Sequence, residues 1–189
     1  MSQLRSTGSR PWRGIAAALM VLALAGCGRP GAGTDRATGA ENAPWSPHLQ
    51  AVDEALAQQN ISAAEWAWVR AHGAALGSRG WEGMLAVGDA ARPIGALAGR
   101  RHAAEAKART LYLAALFRAR NQRSVEGVLQ AAEAFWTLGD REVVEQCLAI
   151  AERLVGETRE PDARVRAAAL VRQFAARVRG AESAAGDRF

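Results

Sequence analysis

The chain has 189 residues, 49% of them hydrophobic and 23% charged, the balance of a globular protein of about one domain. Two cysteines allow at most one internal disulfide, and abundant Ala with few β-branched residues favours helix over sheet. The net charge of +5 is unevenly placed: Arg5, Arg10 and Arg13 lie in the first 26 residues with no acid, and beyond them 21 basic residues face 19 acidic ones, a net charge of +2 that gives no case for nucleic acid as a partner.

Residues 1–14 are polar and carry those three arginines. Residues 15–25, Ile-Ala-Ala-Ala-Leu-Met-Val-Leu-Ala-Leu-Ala, are uncharged and apolar. A basic stretch before a short apolar run has the pattern of a secretory signal, and the run falls short of the roughly 20 residues of a membrane span. It ends in Leu24-Ala25-Gly26-Cys27, which resembles the lipobox of bacterial lipoproteins. The resemblance implies cleavage between Gly26 and Cys27, lipidation of Cys27, and attachment to a membrane outside the cytoplasm. Gly28, where an inner-membrane lipoprotein often has Asp, implies the outer membrane, with the protein facing the periplasm. Lipidation of Cys27 leaves Cys147 without a disulfide partner. Residues 28–46 are rich in Gly, Pro, Ala, Thr and Asp and are expected to form a flexible tether, spanning roughly 25 Å.

Helix signals recur from there. Ser46-Pro47 gives a cap and a proline at the first helical position, followed by Leu49, Val52 and Leu56 at helical spacing. Ser62 and Glu65 form a capping box, with Ile61 and Trp66 placed for a hydrophobic staple; this helix is expected to stop at Gly77. Residues 80–100 contain Trp81, Met84, Leu85 and Val87 but also Gly83, Gly88, Gly95, Gly99 and Pro93, which predicts a broken or kinked helix. Residues 103–120 read as a central helix, with Leu113, Leu116 and Phe117 widening the apolar stripe of Ala104, Ala108, Leu111 and Ala115. Val125, Val128, Leu129, Ala132, Phe135 and Trp136 follow, capped by Ser124. Gly139 then supplies a left-handed terminus, and Asp140 a cap for the helix of Val144, Cys147, Leu148, Ala151 and Leu154. Pro161 starts a last helix, expected to turn Ala167, Leu170, Val171, Phe174 and Val178 inward and to end at Gly180; residues 181–189 are expected to be a disordered tail.

Residues 125–155 resemble a degenerate tetratricopeptide repeat. Gly139 stands at the turn, Val128, Ala131, Ala132 and Phe135 at packing positions of the first helix, and Val144, Leu148 and Ala151 at those of the second. Ala132 replaces the expected Gly, Val144 is larger than the expected residue, and Pro161 comes late. Helix starts near 103 and 140, and near 124 and 161, suggest a period of 37 residues, against 34 for such arrays. The expected fold is all-α: about seven helices over residues 47–180, arranged as antiparallel hairpins in a tetratricopeptide-like stack or an irregular bundle.

No catalytic, metal or cofactor motif emerges. His48, His72 and His102 lack zinc-helix spacing, Gly77-Ser78-Arg79-Gly80 is not followed by a phosphate-loop Lys, and Glu142 and Glu145 read as solvated helix surface. Cys147 sits inward, as a buried inert thiol or a reactive one. Trp66 and Trp68 are two residues apart and point to different faces: at least one is expected in the core, and the other either packs as well or anchors a partner or a headgroup region. Arg164, Arg166, Arg172, Arg177 and Arg179 give the last helix a basic surface. The expectation is a non-enzymatic, membrane-anchored module that binds protein partners, with Trp66, Trp68, Arg172 and Arg179 as candidate contacts. The alternatives are an accessory subunit of an envelope transport or secretion system, similar to the pilotins, and, third, an enzyme with no recognisable motif.

Overall fold

The computed structural model describes residues 43–186. The signal segment, Gly26 and Cys27 and most of the tether lie outside them. The described residues form seven helices and no strand: α1 (Ser46–Ala57), α2 (Ile61–Gly77), α3 (Glu82–Leu97), α4 (Arg101–Asn121), α5 (Val125–Thr137), α6 (Arg141–Glu157) and α7 (Pro161–Gly186). None is long and apolar enough to cross a membrane.

Local chemistry sets the helix ends. Ser124 Oγ accepts from the Gly127 amide at 3.0 Å, the expected cap of α5. The cap of α2 is Asn60, whose side chain accepts from Ala63 N at 3.1 Å, so the Ser62–Glu65 capping box does not form. Trp66 is consequently no staple; it stands 73% exposed. Asp140 is at the cap of α6 but makes no capping bond. Its carboxylate instead accepts from Arg109, Nε to Oδ2 at 2.6 Å and Nη2 to Oδ1 at 3.1 Å. A bidentate guanidinium pair is stronger than a neutral cap bond, and the backbone yields its partner. Gly77 belongs to α2, and α7 continues through Gly180 to Gly186.

One turn recurs. Gln59, Gly99, Arg123 and Gly139 have φ of 55°, 67°, 56° and 79°, each just past a helix C-terminus. The next amide in each case reaches back five residues, from Asn60 to Ala55 O, Arg100 to Gly95 O, Ser124 to Ala119 O and Asp140 to Phe135 O, at 2.7–3.1 Å. This is the Schellman closure, and the residue that completes it also begins the next helix. Gln59, Gly99 and Gly139 lie 40 residues apart, as do the starts of α2, α4 and α6. The sequence repeats with them: Ala51, Ala91 and Ala131; Ala63, Ala103 and Val143; Ala64, Ala104 and Val144; and Glu65, Glu105 and Glu145. The even helices therefore recur every 40 residues, against the expected 37, while the odd helices start 36, 43 and 36 residues apart, and the described residues contain three hairpins, α1–α2, α3–α4 and α5–α6, with α7 as a half-repeat.

These hairpins stack. Each helix packs on the next in sequence, and α1 on α3, α3 on α5 and α5 on α7, so the odd helices form one layer and the even helices the other. Helix α3 is continuous through Pro93, against the expected break. Its glycines serve packing: a Cβ on Gly88 would lie 2.5 Å from the Tyr112 ring of α4, and one on Gly95 would overlap Ala104. The absence of side chains there lets α3 and α4 approach closely. The core runs along the stack through Val52, Trp68, Val87, Tyr112, Phe135, Val144 and Phe174. Leu113 and Phe117, expected in it, are 40% and 58% exposed, and Leu170 is 47% exposed. A helix packed on one side only cannot bury an apolar residue on its far side.

Candidate functional site

Three regions combine relief with chemistry. The first is a pocket of about 120 Å³ among α2, α3 and α4, lined by Glu65, Trp68, Ile94, Gly95, Arg100 and Lys107. Trp68 is 9% exposed, donates from Nε1 to Val87 O at 2.8 Å, and stacks on His72 with ring centroids 5.1 Å apart. Lys107, the only lysine of the chain, lies 4.5 Å over its ring, and Arg100 is ion-paired with Glu65. Desolvation, then the Lys107 charge, lowers the His72 pKa and favours neutral imidazole. The charged groups are already engaged, and ligand pockets usually hold about 300–1,000 Å³, so this hollow is a packing joint. Trp68 is the core member of its pair; only Trp66 offers its ring to solvent.

The second region is a hollow of about 430 Å³ between α5 and α7, on the outward face of the odd layer. Leu129, Leu170 and Phe174 give it an apolar floor; Glu126, Gln130, Glu133, Gln173 and Arg177 give it a polar rim. Arg177 donates to Glu133 Oε2 at 2.7 Å, and on the same layer Arg92 donates to Thr137 Oγ1 at 3.0 Å, tying α5 to α7 and α3 to α5. The expected arginine stripe is divided by these contacts. Arg177 faces α5, and Arg179 lines a second hollow with Trp136, Val144, Leu148 and Val178, while Arg172 is exposed on the helix surface.

The third region is the outward face of α2 and α4. Glu65 meets Arg100, Trp68 meets Lys107, and Arg118 Nη1 donates to the carbonyls of Ala75, Ser78 and Gly80 at 3.1, 2.9 and 2.9 Å. Contacts in the same order along both helices place them parallel and side by side. Away from the core they present Trp66, Val69 and Leu76 on α2, and Leu113 and Phe117 on α4, all 40–73% exposed. Sequence reasoning missed four of these five. For Val69 and Leu76 the signal was a stripe at positions 66, 69, 73 and 76, opposite the buried stripe of Ala64, Trp68, Ala71 and Ala75.

Cys147 is fully buried, and desolvation pushes its thiol up to about 12. Tyr112, also fully buried, donates to Asp89 Oδ1 at 2.6 Å and meets the Phe135 ring edge-on. Partial loss of hydration raises the Asp89 pKa, while the Tyr112 hydrogen bond opposes that shift. Among the described residues, no three His, Cys, Asp or Glu side chains converge as metal ligands. Compared with family models, with characterised proteins and with solved structures, the chain matches none.

Proposed function

We propose that the protein is a bacterial lipoprotein, held through Cys27 on the periplasmic face of the outer membrane, whose hairpin stack binds a protein partner as an assembly module. The lipobox-like Leu24-Ala25-Gly26-Cys27 and the glycine after it support the anchor and its location. The 40-residue hairpin repeat supports a likeness to helical-repeat binding proteins, although the period exceeds the 34 residues of tetratricopeptide arrays. The observation that carries the binding role is the hollow between α5 and α7. It has the volume, apolar floor and hydrogen-bonding rim suited to a peptide or helix of another protein, and no reactive group.

Replacing Leu170, exposed at its edge, with a photoreactive residue in the full-length protein should give one discrete protein adduct in the cell envelope. Leu170→Asp should abolish co-purification of that protein, whereas Ala149→Asp, exposed on α6 in the opposite layer, should not. Equal effects of the two substitutions would overturn the assignment of the hollow. Cys27→Ser should abolish palmitate labelling, independently of either result.

A further inference from the structure

We propose that the outward face of α2 and α4 is a membrane-docking surface, laid against the headgroup region of an anionic bilayer. Its centre is the five-residue apolar patch of Trp66, Val69, Leu76, Leu113 and Phe117. An apolar cluster exposed on one face marks an interaction surface when its members are contiguous. Arg118 reaches carbonyls on both sides of Leu76, which brings the Phe117 turn of α4 to the C-terminal end of α2, and the parallel run of the helices sets the rows Trp66–Val69–Leu76 and Leu113–Phe117 along the same layer. Gly73 lies between them on α2 with open space beyond it.

The charge around the patch selects the occupant. Helix α2 carries Arg70 and one acid, Glu65, which is paired with Arg100. Helix α4 carries Arg101, Lys107, Arg109, Arg118 and Arg120 and one acid, Glu105, which Arg101 contacts at 3.0 Å. Arg70, Arg79 and Arg120 are exposed and have no ion-pair partner among the described residues. The neighbouring even helix is of opposite character: α6 exposes Glu142, Glu145 and Glu152 and no large apolar residue. An exposed Trp and Phe, aliphatic side chains and a rim of unpaired arginines match an anionic lipid surface, where apolar side chains enter the acyl boundary and each basic residue contributes about 1 kcal/mol of attraction. A protein partner would ordinarily find a socket at the centre of such a patch. Leu113, at the α6 edge of the patch, lines a hollow of about 520 Å³ with Arg109, Asp140 and Val143, whereas Trp66, Val69, Leu76 and Phe117 line neither it nor the hollows described above.

The entry point of the chain agrees. Trp45, at the start of α1, meets Ala75 at the position of Gly83, where a Cβ would lie 2.9 Å from the indole and 3.0 Å from Ala75 Cβ. The described chain therefore begins on the core side of α2, level with its Leu76 end. The tether from Cys27, spanning roughly 25 Å, allows this face to lie on the bilayer that holds the anchor. Docking there turns the α5–α7 hollow away from the lipid. The proposal rests on the anchored reading for its setting, and its test reads a different residue from the one that tests the anchor.

The full-length protein is reconstituted with phosphatidylcholine vesicles, with and without phosphatidylglycerol, containing lipid brominated near the headgroup end of its acyl chains. Bromolipid should quench the tryptophan emission of the wild type, and Trp66→Phe should lose most of that quenching while keeping its melting temperature. Arg70→Ala/Arg120→Ala should reduce the quenching on vesicles containing phosphatidylglycerol. Any contribution from Trp45, Trp68, Trp81 and Trp136 cancels between wild type and Trp66→Phe. Equal quenching of the two proteins would overturn the proposal, as would protection of Trp66 by a bound protein in place of lipid. Failure of the anchor would appear separately, as absent palmitate labelling, and would leave the Trp66 comparison readable.

Discussion

Gln59 and Arg123 hold the left-handed conformation that Gly99 and Gly139 hold in the equivalent turns, with φ of 55° and 56°. A side chain there crowds the following carbonyl at a cost of roughly 1–2 kcal/mol, which glycine avoids while losing more backbone entropy on folding. Gln59→Gly should therefore stabilise the protein by about 0.5–1 kcal/mol, seen as a higher urea midpoint at unchanged slope. Arg123→Gly should gain less, because Arg123 also faces Glu157 at 3.6 Å; that pair is exposed and contributes no more than about 1 kcal/mol. Gly139→Ala should move the midpoint the other way. A lower midpoint for Gln59→Gly would mean that the Gln59 side chain supplies an interaction worth more than the backbone strain. These two turns were hard to read in sequence for the same reason: a helix terminus held by Gln or Arg carries no glycine to announce it.

Arg118 acts on a whole element. Its guanidinium gathers carbonyls at the C-terminal end of α2 and the connection to α3, groups that no helical amide satisfies, and Gln122 adds a bond to Arg79 O at 2.7 Å. A hydrogen bond to a charged group contributes about 1.5–3 kcal/mol, so Arg118→Ala should destabilise the protein by that order and speed amide exchange first at residues 76–82. Uniform exchange along α2 would show that the carbonyls find water at no cost. Such long-range capping was not legible, since Arg118 and Gly80 are far apart in the chain. What was legible was local: Ser124 as a cap, Gly139 as a terminus, Pro161 as a start. The Asn60 cap was hidden by the competing Ser62–Glu65 pattern. Helix α3 read as broken because the value of Gly88 and Gly95 depends on Tyr112 and Ala104, which only the folded pair brings near. The repeat was missed because its identities are confined to small residues and one Glu. For the candidate site, spacing separated Trp66 from Trp68 but gave no indication of which was inward, and the apolar character of Leu113 and Phe117 pointed to a core that lies on the other side of α4.

At the scale of the molecule, each helix is supported only by its neighbours in the stack, and stability in such an array is a sum of local terms. Helix α7 is the extreme case. It packs on α5 and α6 alone, and Val171 and Phe174 are its only large apolar residues below a tenth exposed. Truncating a buried Phe to Ala typically costs about 3–5 kcal/mol, more than a terminal helix held by so few contacts can absorb. Phe174→Ala should therefore release α7 while the rest stays folded: amide exchange over residues 163–181 rises to that of a frayed segment, and the core amides of α3 and α4 keep their protection. In a closed bundle, where the last helix completes a shared core, the same change would lower protection in every helix together. Hydrogen exchange read by mass spectrometry separates the two. Loss confined to α7 follows from the open stack. Loss spread evenly over α1–α6 would mean that the hairpins are coupled through contacts stronger than nearest-neighbour packing supplies. The α5–α7 hollow would vanish with α7 under the first outcome, so partner capture by Phe174→Ala should fail although the hairpins remain intact, tying the binding role to the half-repeat.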